Sequence, residues 1–305
     1  MVGMLLGLML VCCSCLRDEI RPCPPLQVSI GVKDKNYFNV DDVEREGLAS
    51  RLDEDLPFRS YVSTLYCALY ELESGEKVEV KPHMEVDNEE KIQRITFSDR
   101  LPFGRYRMVV WGNLRDERPL EGDATDACLE EHDASLQDIY VAADTLEYGY
   151  AAYRHTVELE RTKGKLIVLA ENMPFPVAAS VKEVSQVYSF VQSDLQYDEA
   201  ITHRTHTPWE DPYRMLTETL MGPSVEEDRS VLEVDFLPEE PGGGRASPEN
   251  IHITINRNEL AVVKYVFTGK GFEIYVLVND RWEAQHNMDI DLSLIHISEP
   301  TRPEP

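Results

Sequence analysis

Basic residues are scarce in this sequence of 305 residues. Lys and Arg together number 30 against 56 Asp and Glu, which gives a formal net charge of -26 at pH 7. A chain with this balance is repelled by DNA, by RNA and by anionic lipid surfaces. The composition therefore argues against nucleic acid as a partner and indicates a well-solvated acidic surface.

Motifs that carry chemistry are also lacking. There is no Gly-x-Ser-x-Gly nucleophile motif, and the glycines at 242–244 are not followed by the Lys-Ser/Thr of a phosphate loop. His203 and His206 have no third ligand at a spacing typical of zinc sites, so they are read as exposed loop histidines rather than metal ligands. Carboxylates are abundant, but no pair stands out as glycosidase acids. The sequence predicts no catalytic residue, no cofactor and no metal, and a protein that is not an enzyme.

Few cysteines remain once the N-terminal cluster is set aside: Cys23, Cys67 and Cys128. None belongs to a Cys-x-x-Cys pair, which argues against redox and zinc-knuckle sites. Cys67 shares a strand face with Leu65 and Leu69, so we expect a buried free thiol. A Cys23–Cys128 disulfide stays an open alternative, because nothing local supports it.

The apolar run at the start of the chain, Val2 to Val11, is too short for the ~20 residues of a membrane-spanning helix. It leads into Cys12-Cys13-Ser14-Cys15 and then into charged residues. An apolar core, a small residue, a cysteine and then charge is the pattern that lipoprotein signal peptidase recognises. Because the small Ser14 precedes Cys15, we predict a signal peptide over 1–14 and acylation of Cys15, with Cys13 as the alternative.

Two further features bear on this prediction. No Lys or Arg precedes Arg17, whereas a secretory signal normally begins with a basic residue. The competing interpretation is a buried apolar N-terminal strand with incidental cysteines. The lipoprotein interpretation predicts a lipidated linker over 15–25 and attachment to the outer membrane.

Helical periodicity is rare in the body of the chain. Only 40–52 and 181–191 fit a helix, and the second window fits a long strand equally well. Elsewhere short runs rich in Val, Ile, Tyr and Phe alternate with Gly, Pro, Asn and Asp turns, which is typical of β-sandwiches. These runs are 26–32, 61–72, 94–97, 106–111, 138–142, 165–169, 231–236, 251–256, 261–267 and 272–278. We predict an all-β protein with an N-terminal sandwich over 26–153 and a C-terminal sandwich over 154–291.

The last residues look foreign to this pattern. Leu292 to Arg302 matches the in-frame translation of a sequencing adapter, so 292–305 is interpreted as an artefactual tail. On this interpretation the second sandwich is truncated and lacks a strand.

Three segments resemble one protein family, the FimB-type fimbrial anchor subunits of Bacteroidales, which are lipoproteins at the base of type V fimbriae. The first is Cys15 to Pro24, in which two acidic residues and then Cys23-Pro24 follow the lipidated cysteine. The second is Leu101 to Gly112, which is similar to the family's Leu-Pro-x-Gly-x-Tyr…Trp-Gly strand. The third is His155 to Val168. The resemblance spans about Cys15 to Asp291.

This resemblance implies two transthyretin-like β-sandwich domains in tandem, in agreement with the strand pattern. It also implies a surface-exposed outer-membrane lipoprotein that anchors or assembles fimbriae by binding a shaft subunit. Shaft assembly in this system uses strand donation, in which a partner's extended segment completes an open sheet edge. Two alternatives stay open: a fimbrial tip or accessory adhesin of the same fold, and a surface glycan-binding lipoprotein. For the latter, Trp209 and Trp282 are candidate stacking platforms, although both are more simply loop or core residues.

Overall fold

The computed structural model describes residues 24–114, 126–129, 137–239 and 245–285. Regular structure in these ranges is almost entirely β, which confirms the predicted all-β sandwich fold. One α-helix, α1 (Val40–Arg45), and one 3₁₀ turn (Phe58–Ser60) interrupt it, and no helix of the described chain is long and apolar enough to cross a membrane. The strands are β1 (Gln27–Val32), β2 (Thr64–Glu71), β3 (Lys77–Glu85), β4 (Gln93–Thr96), β5 (Gly104–Gly112), β6 (Asp126–Cys128), β7 (Tyr140–Tyr148), β8 (Arg154–Arg161), β9 (Gly164–Glu171), β10 (Val177–Gln192), β11 (Tyr197–Pro208), β12 (Met215–Met221), β13 (Ser230–Pro238), β14 (Ile251–Ile253), β15 (Leu260–Phe267), β16 (Phe272–Val278) and β17 (Arg281–Ala284).

The first seven-stranded sheet has the order β3-β2-β5-β7-β8-β1-β4. In the part of the chain that the structure describes, one half (β3-β2-β5-β7) is paired to the other (β8-β1-β4) only where Tyr140 and Val141 of β7 meet the last residues of β8. β7 and β8 separate beyond these two residue pairs, so the two halves of the sheet face each other and enclose a core. Inward-facing residues of both halves, such as Ile30 of β1, Leu69 of β2 and Met108 of β5, form one buried cluster. This is a sandwich built from one bent sheet.

The position of β8 shows that the predicted boundary between the two sandwiches, at residue 154, is wrong. The sequence places Arg154–Arg161 in the second sandwich, but the strand runs parallel to β1 from Gln27↔Arg154 to Val32↔Leu159. Parallel partners need a long crossover, so their pairing leaves no short-range signal in the sequence. The second sandwich therefore starts at β9, after the short connection Thr162-Lys163.

The second sandwich consists of two separate sheets. One has the order β11-β10-β13-β14, with β6 also pairing with β10, and the other has the order β12-β9-β15-β16-β17. Its core comprises inward residues of both sheets, including Val184 of β10, Phe236 of β13 and Tyr265 of β15. The window 181–191 lies within β10, so the strand interpretation is confirmed and the helical one is wrong.

A third apolar cluster joins the two sandwiches. The outward face of the first sheet contributes Tyr66 and Trp111, and the other side contributes Leu129 and Val191, all of them buried. Burial of large aromatic side chains against a second body resembles a domain core more than a transient contact. The two sandwiches therefore share a continuous apolar interface.

The junction beside this interface is polar and buried. Arg161, at the end of β8, donates to Asp138 Oδ2 at 2.7 Å and to the Tyr140 hydroxyl at 2.6 Å. Arg257 of the second sandwich donates to Asp34 Oδ2 at 2.9 Å, and Asp34 also accepts the backbone N–H of Arg161 at 2.9 Å. These bonds fix the first sheet to the loop between β14 and β15.

Cys67 is buried and free, as the sequence predicts. Cys128 is half-buried and is also free. The predicted signal peptide, the acylation candidates Cys15 and Cys13, Cys23 and the adapter-like tail 292–305 all lie outside the described residues.

A candidate strand-docking groove

The two sheets of the second sandwich do not cover each other completely. Ile251 and Ile253 of β14 pack with Val263 and Tyr265 of β15 in the core. In the described chain β14 is the last strand of its sheet, whereas β16 and β17 continue beyond β15. The inner face of β16 is covered where Phe272 and Ile274 pack in this core, and it is open at its C-terminal end, where Val278 is 38% exposed.

A groove of about 810 Å³ occupies this position. Its floor follows the inward positions of neighbouring strands, with Ala261 and Val263 on β15 and Val276 and Val278 on β16. Val263 and Val276 are register partners, so these side chains share one face. Val278 is 38% exposed, which leaves apolar surface open at the groove. An alternating apolar floor beside a strand edge is what an added strand needs.

The wall of the groove is β14 and the residues that follow it. Ser230 of β13 pairs with Ile253, and Asp228 is bonded to Thr254 Oγ1 through both its backbone N–H (2.9 Å) and its carboxylate (3.1 Å). Ser224 Oγ accepts the N–H of Ile255 at 2.8 Å. These bonds hold the edge in place, so it is preformed.

The rim of the groove is acidic. Asp42 of α1, Asp228, Glu259 and Glu283 line it, and Arg229 is the basic residue among them. Such a rim attracts a partner segment with basic residues beside its apolar ones.

The remaining sequence-based candidates do not assemble into a site. His203 and His206 lie within β11, not in a loop, and their odd spacing puts them on opposite faces of the strand. Because of this they cannot bind one ion together, and the described residues contain no group of metal-binding side chains. Trp209 packs edge-on against Phe236 with ring centroids 5.6 Å apart. Trp282 donates to a carboxylate of Glu46 at 2.7 Å, so both tryptophans are engaged within the protein.

Lys182 is not among the residues singled out from the sequence. It lies on β10 and points into the second sandwich, where its amino group donates to the hydroxyls of Thr217 and Thr219 on β12. Burial lowers the pKa of Lys182 to about 7. An alternating Val-Lys-Glu-Val segment looks like any half-exposed strand, so only the structure reveals this buried amine.

Comparison with known proteins gives a likeness of fold. No family model and no curated protein matches the sequence. A "putative adhesin" from Bacteroides thetaiotaomicron aligns with a TM-score of 0.58 at 15% identity, covering 86% of this chain and 98% of its own. A "putative polysaccharide binding" protein of the same organism aligns with a TM-score of 0.58 at 11% identity over 86% of this chain and 99% of its own. The fimbrial anchor protein Mfa2 from Porphyromonas gingivalis aligns with a TM-score of 0.51 at 13% identity over 86% of this chain and 100% of its own. The chain shares their fold.

Proposed function

We propose that this protein is a lipid-anchored subunit of the bacterial surface that holds a fimbrial shaft subunit by strand addition. The observation that carries the proposal is the groove beside β14, with its preformed edge, apolar floor and acidic rim. The FimB-like sequence segments and the fold shared with a fimbrial anchor support the same conclusion. The protein acts by binding, not by catalysis.

Strand addition explains why the groove has these parts. Within the described chain β14 is the last strand of its sheet, and the N–H and C=O groups on its outer edge pair with an extended partner segment. The partner's alternate side chains enter the space over Val276 and Val278. Burying apolar area contributes roughly 25 cal/mol per Å², so the partner's contact with the groove floor supplies affinity. The backbone hydrogen bonds to β14 set the orientation of the partner strand. The acidic rim selects partner segments with basic flanks.

The partner test compares two matched substitutions. Val278→Asp places a charge on the groove floor, and Leu216→Asp does the same on the edge strand β12, at similar exposures of 38% and 40%. In cells that express the neighbouring fimbrial genes, we expect Val278→Asp to abolish co-purification of the shaft subunit and Leu216→Asp to preserve it. Equal co-purification with both variants would contradict binding at the groove.

The anchor is tested separately at its cysteine. Cys15→Ala in the full chain should abolish labelling with a palmitate analogue and release the protein from the outer membrane, whereas Cys13→Ala should change neither. Stable anchoring requires more than one acyl chain, because a single chain gives marginal and reversible binding. Undiminished labelling of Cys15→Ala would move the modification to Cys13 or remove it.

Loss of this gene distinguishes an anchor from an adhesin. Without an anchor, fimbriae should detach or change in length. Fimbriae that stay attached and of normal length would favour the tip or accessory adhesin instead.

A further inference from the structure

The half of the first sheet formed by β8, β1 and β4 has a buried face and an open face. Val28 and Ile30 of β1 point into the core, together with side chains of the two flanking strands. Because side chains alternate along a strand, Gln27 and Ser29 of β1 point to the open face, and β1 is the middle strand of the three. We call this open face the β1 face. Its members around Gln27 and Ser29 are Arg94 and Thr96 of β4 and Arg154 and Thr156 of β8.

Strand pairing places one arginine on each side of β1. Arg154 of β8 is the register partner of Gln27, and Arg94 of β4 is the register partner of Ser29. Neighbouring strands lie ~4.8 Å apart and each residue rises ~3.3 Å, so the Cα atoms of the two arginines are ~12 Å apart. Across this distance two long side chains can reach one ligand that lies above β1.

A cavity of about 470 Å³ lies on the β1 face. It is lined by arginine, glutamine, serine, threonine and histidine side chains, and no Asp or Glu of the described chain takes part in the lining. Glu158 is on the same face, two residues beyond Thr156 on β8, and Asp99 is in the loop that follows β4, but both lie outside the cavity lining. The cavity therefore offers positive charge and polar groups, and no negative charge of its own.

Arg94 and Arg154 are not neutralised by any carboxylate that the structure describes. The Arg154 guanidinium stacks on the Tyr153 ring at 5.0 Å, a contact that orients it and leaves its N–H donors unused. By contrast, Arg204 and Arg214 of the second sandwich are each paired with a glutamate. A planar guanidinium presents parallel N–H donors to two oxygens of one anionic group, so an oxyanion is the group that these donors fit.

The charge of the whole chain limits the ligand to few negative charges. A net charge of -26 repels a polyanion that extends over the surface. At physiological ionic strength, charges beyond about 8 Å are largely screened, so a small ligand with one oxyanion group responds chiefly to the arginines beside it. The hydroxyl and amide side chains between the arginines fit a ligand that also carries hydroxyl groups.

We propose that the β1 face binds a small hydrophilic ligand with a single oxyanion, a carboxylate or a sulfate, beside hydroxyl groups, which is the chemistry of an acidic sugar. Arg94 and Arg154 bind the oxyanion, and Gln27, Ser29 and Thr156 bond the hydroxyl groups. The site lies on β1, β4 and β8, whereas the strand-docking groove lies beside β14. The inference therefore does not rest on the proposed fimbrial function.

The ligand class is tested by calorimetric titration of the full chain with methyl β-D-glucuronide and with methyl β-D-glucoside. The two sugars differ in one group, because the glucuronide has a carboxylate where the glucoside has a hydroxymethyl group. We expect the glucuronide to bind about tenfold more tightly, since the glucoside loses the charge-assisted hydrogen bonds to the guanidinium groups. Equal affinity for the two sugars, or no binding of the glucuronide, would overturn the proposal.

Matched substitutions locate the site. Arg94→Gln and Arg154→Gln should each weaken glucuronide binding about tenfold. Arg204→Gln and Arg214→Gln, at arginines that are paired with a glutamate, should leave it unchanged. All four side chains are exposed, so thermal unfolding should be the same for every variant and the affinities can be compared directly. Binding that is unchanged in Arg94→Gln and Arg154→Gln would place the ligand elsewhere and contradict the proposal.

Two further probes identify the source of the oxyanion. Inorganic sulfate should displace the glucuronide, but at higher concentration, because sulfate has no hydroxyl groups for the side chains between the arginines. Sulfate that binds as tightly as the glucuronide would support the oxyanion site and make a free anion its ligand. A heparin oligosaccharide, which is a polyanion, should bind no more tightly than the glucuronide. Much tighter binding of heparin would show that the protein attracts polyanions, and the site for a single oxyanion would be wrong.

Discussion

The amino group of Lys182 lies 2.6 Å from the hydroxyl oxygen of Thr217, on the facing sheet of the second sandwich. Thr219 accepts a second hydrogen bond at 2.9 Å. Both acceptors are neutral hydroxyls, so hydrogen bonding only partly offsets the cost of burying a charged ammonium. Lys182 thereby makes the stability of this sandwich depend on pH.

The first prediction concerns that dependence. Burial lowers the pKa of Lys182 to about 7 in the folded protein, whereas a lysine in an unfolded chain has a pKa of ~10.4. Between these values the unfolded state binds the extra proton, so stability rises with pH, by up to ~1.4 kcal/mol per unit. Below pH 7 both states are protonated and this contribution is constant. We expect Lys182→Met to lose the slope in urea unfolding from pH 7.5 to 9.5.

The matched control for Lys182→Met is Lys270→Met, at an exposed lysine. It should keep the wild-type slope. Parallel pH profiles of Lys182→Met and the wild type would contradict the prediction.

The second prediction concerns the junction between the sandwiches. Asp34 is buried and accepts hydrogen bonds from Arg257 and from the Arg161 backbone. Asp34→Ala leaves the buried Arg161 N–H without its acceptor and removes one of the two carboxylates that pair with Arg257, so it should destabilise the protein by about 2–4 kcal/mol in denaturant unfolding. Lys33→Ala, which removes an exposed ion pair with Glu160, should cost less than ~1 kcal/mol. Equal losses would show that the junction contributes no more than a surface pair.

The third prediction concerns a close backbone approach. A Cβ at Gly222 would lie 2.0 Å from the carbonyl oxygen of Tyr188, whereas a Cβ at Gly271 meets nothing within 4 Å. Backbone must move to admit the methyl group, so Gly222→Ala should lower the free energy of unfolding by about 1–3 kcal/mol. Gly271→Ala should stay within ~0.5 kcal/mol of the wild type. An unchanged melting temperature for Gly222→Ala would refute the close approach.

The fourth prediction concerns Cys67. Burial raises the pKa of its thiol, and alkylation needs an accessible thiolate. Iodoacetamide at pH 8 should leave Cys67 unmodified in the native protein and modify it fully in urea, as read by peptide mass spectrometry. Rapid native modification would mean that the first core opens readily.

The sequence predicts strands whose two faces differ. β1 alternates half-buried and buried positions without exception, and its period is visible in Gln27 to Val32. β11 was not predicted, because it is an edge strand whose residues are mostly exposed or half-buried and polar. Between 40 and 52 only Val40–Arg45 is helical, and its Val40 and Val43 pack on Ile167, Leu260 and Val262. The local sequence pattern thus indicates which faces of a strand are buried, but it does not indicate which strands pair with each other.

The groove depends on relations that no local pattern contains. It exists because β16 and β17 extend past β14, and this follows from the number and order of strands in two sheets. The prediction that the second sandwich lacks a strand came from the adapter-like tail and not from the strand pattern.

The parallel pairing of β1 with β8 has a mechanical consequence. Force applied to the chain before Pro24 pulls β1 towards its N-terminal end, and force applied through the second sandwich pulls β8 towards its C-terminal end. Because the strands are parallel, these forces slide them past each other, and the six residue pairs from Gln27↔Arg154 to Val32↔Leu159 bear the load together. In a hairpin pulled from its open end, the pairs would break one at a time. A molecule pulled between these two points therefore resists unfolding, because all the hydrogen bonds between β1 and β8 must break together.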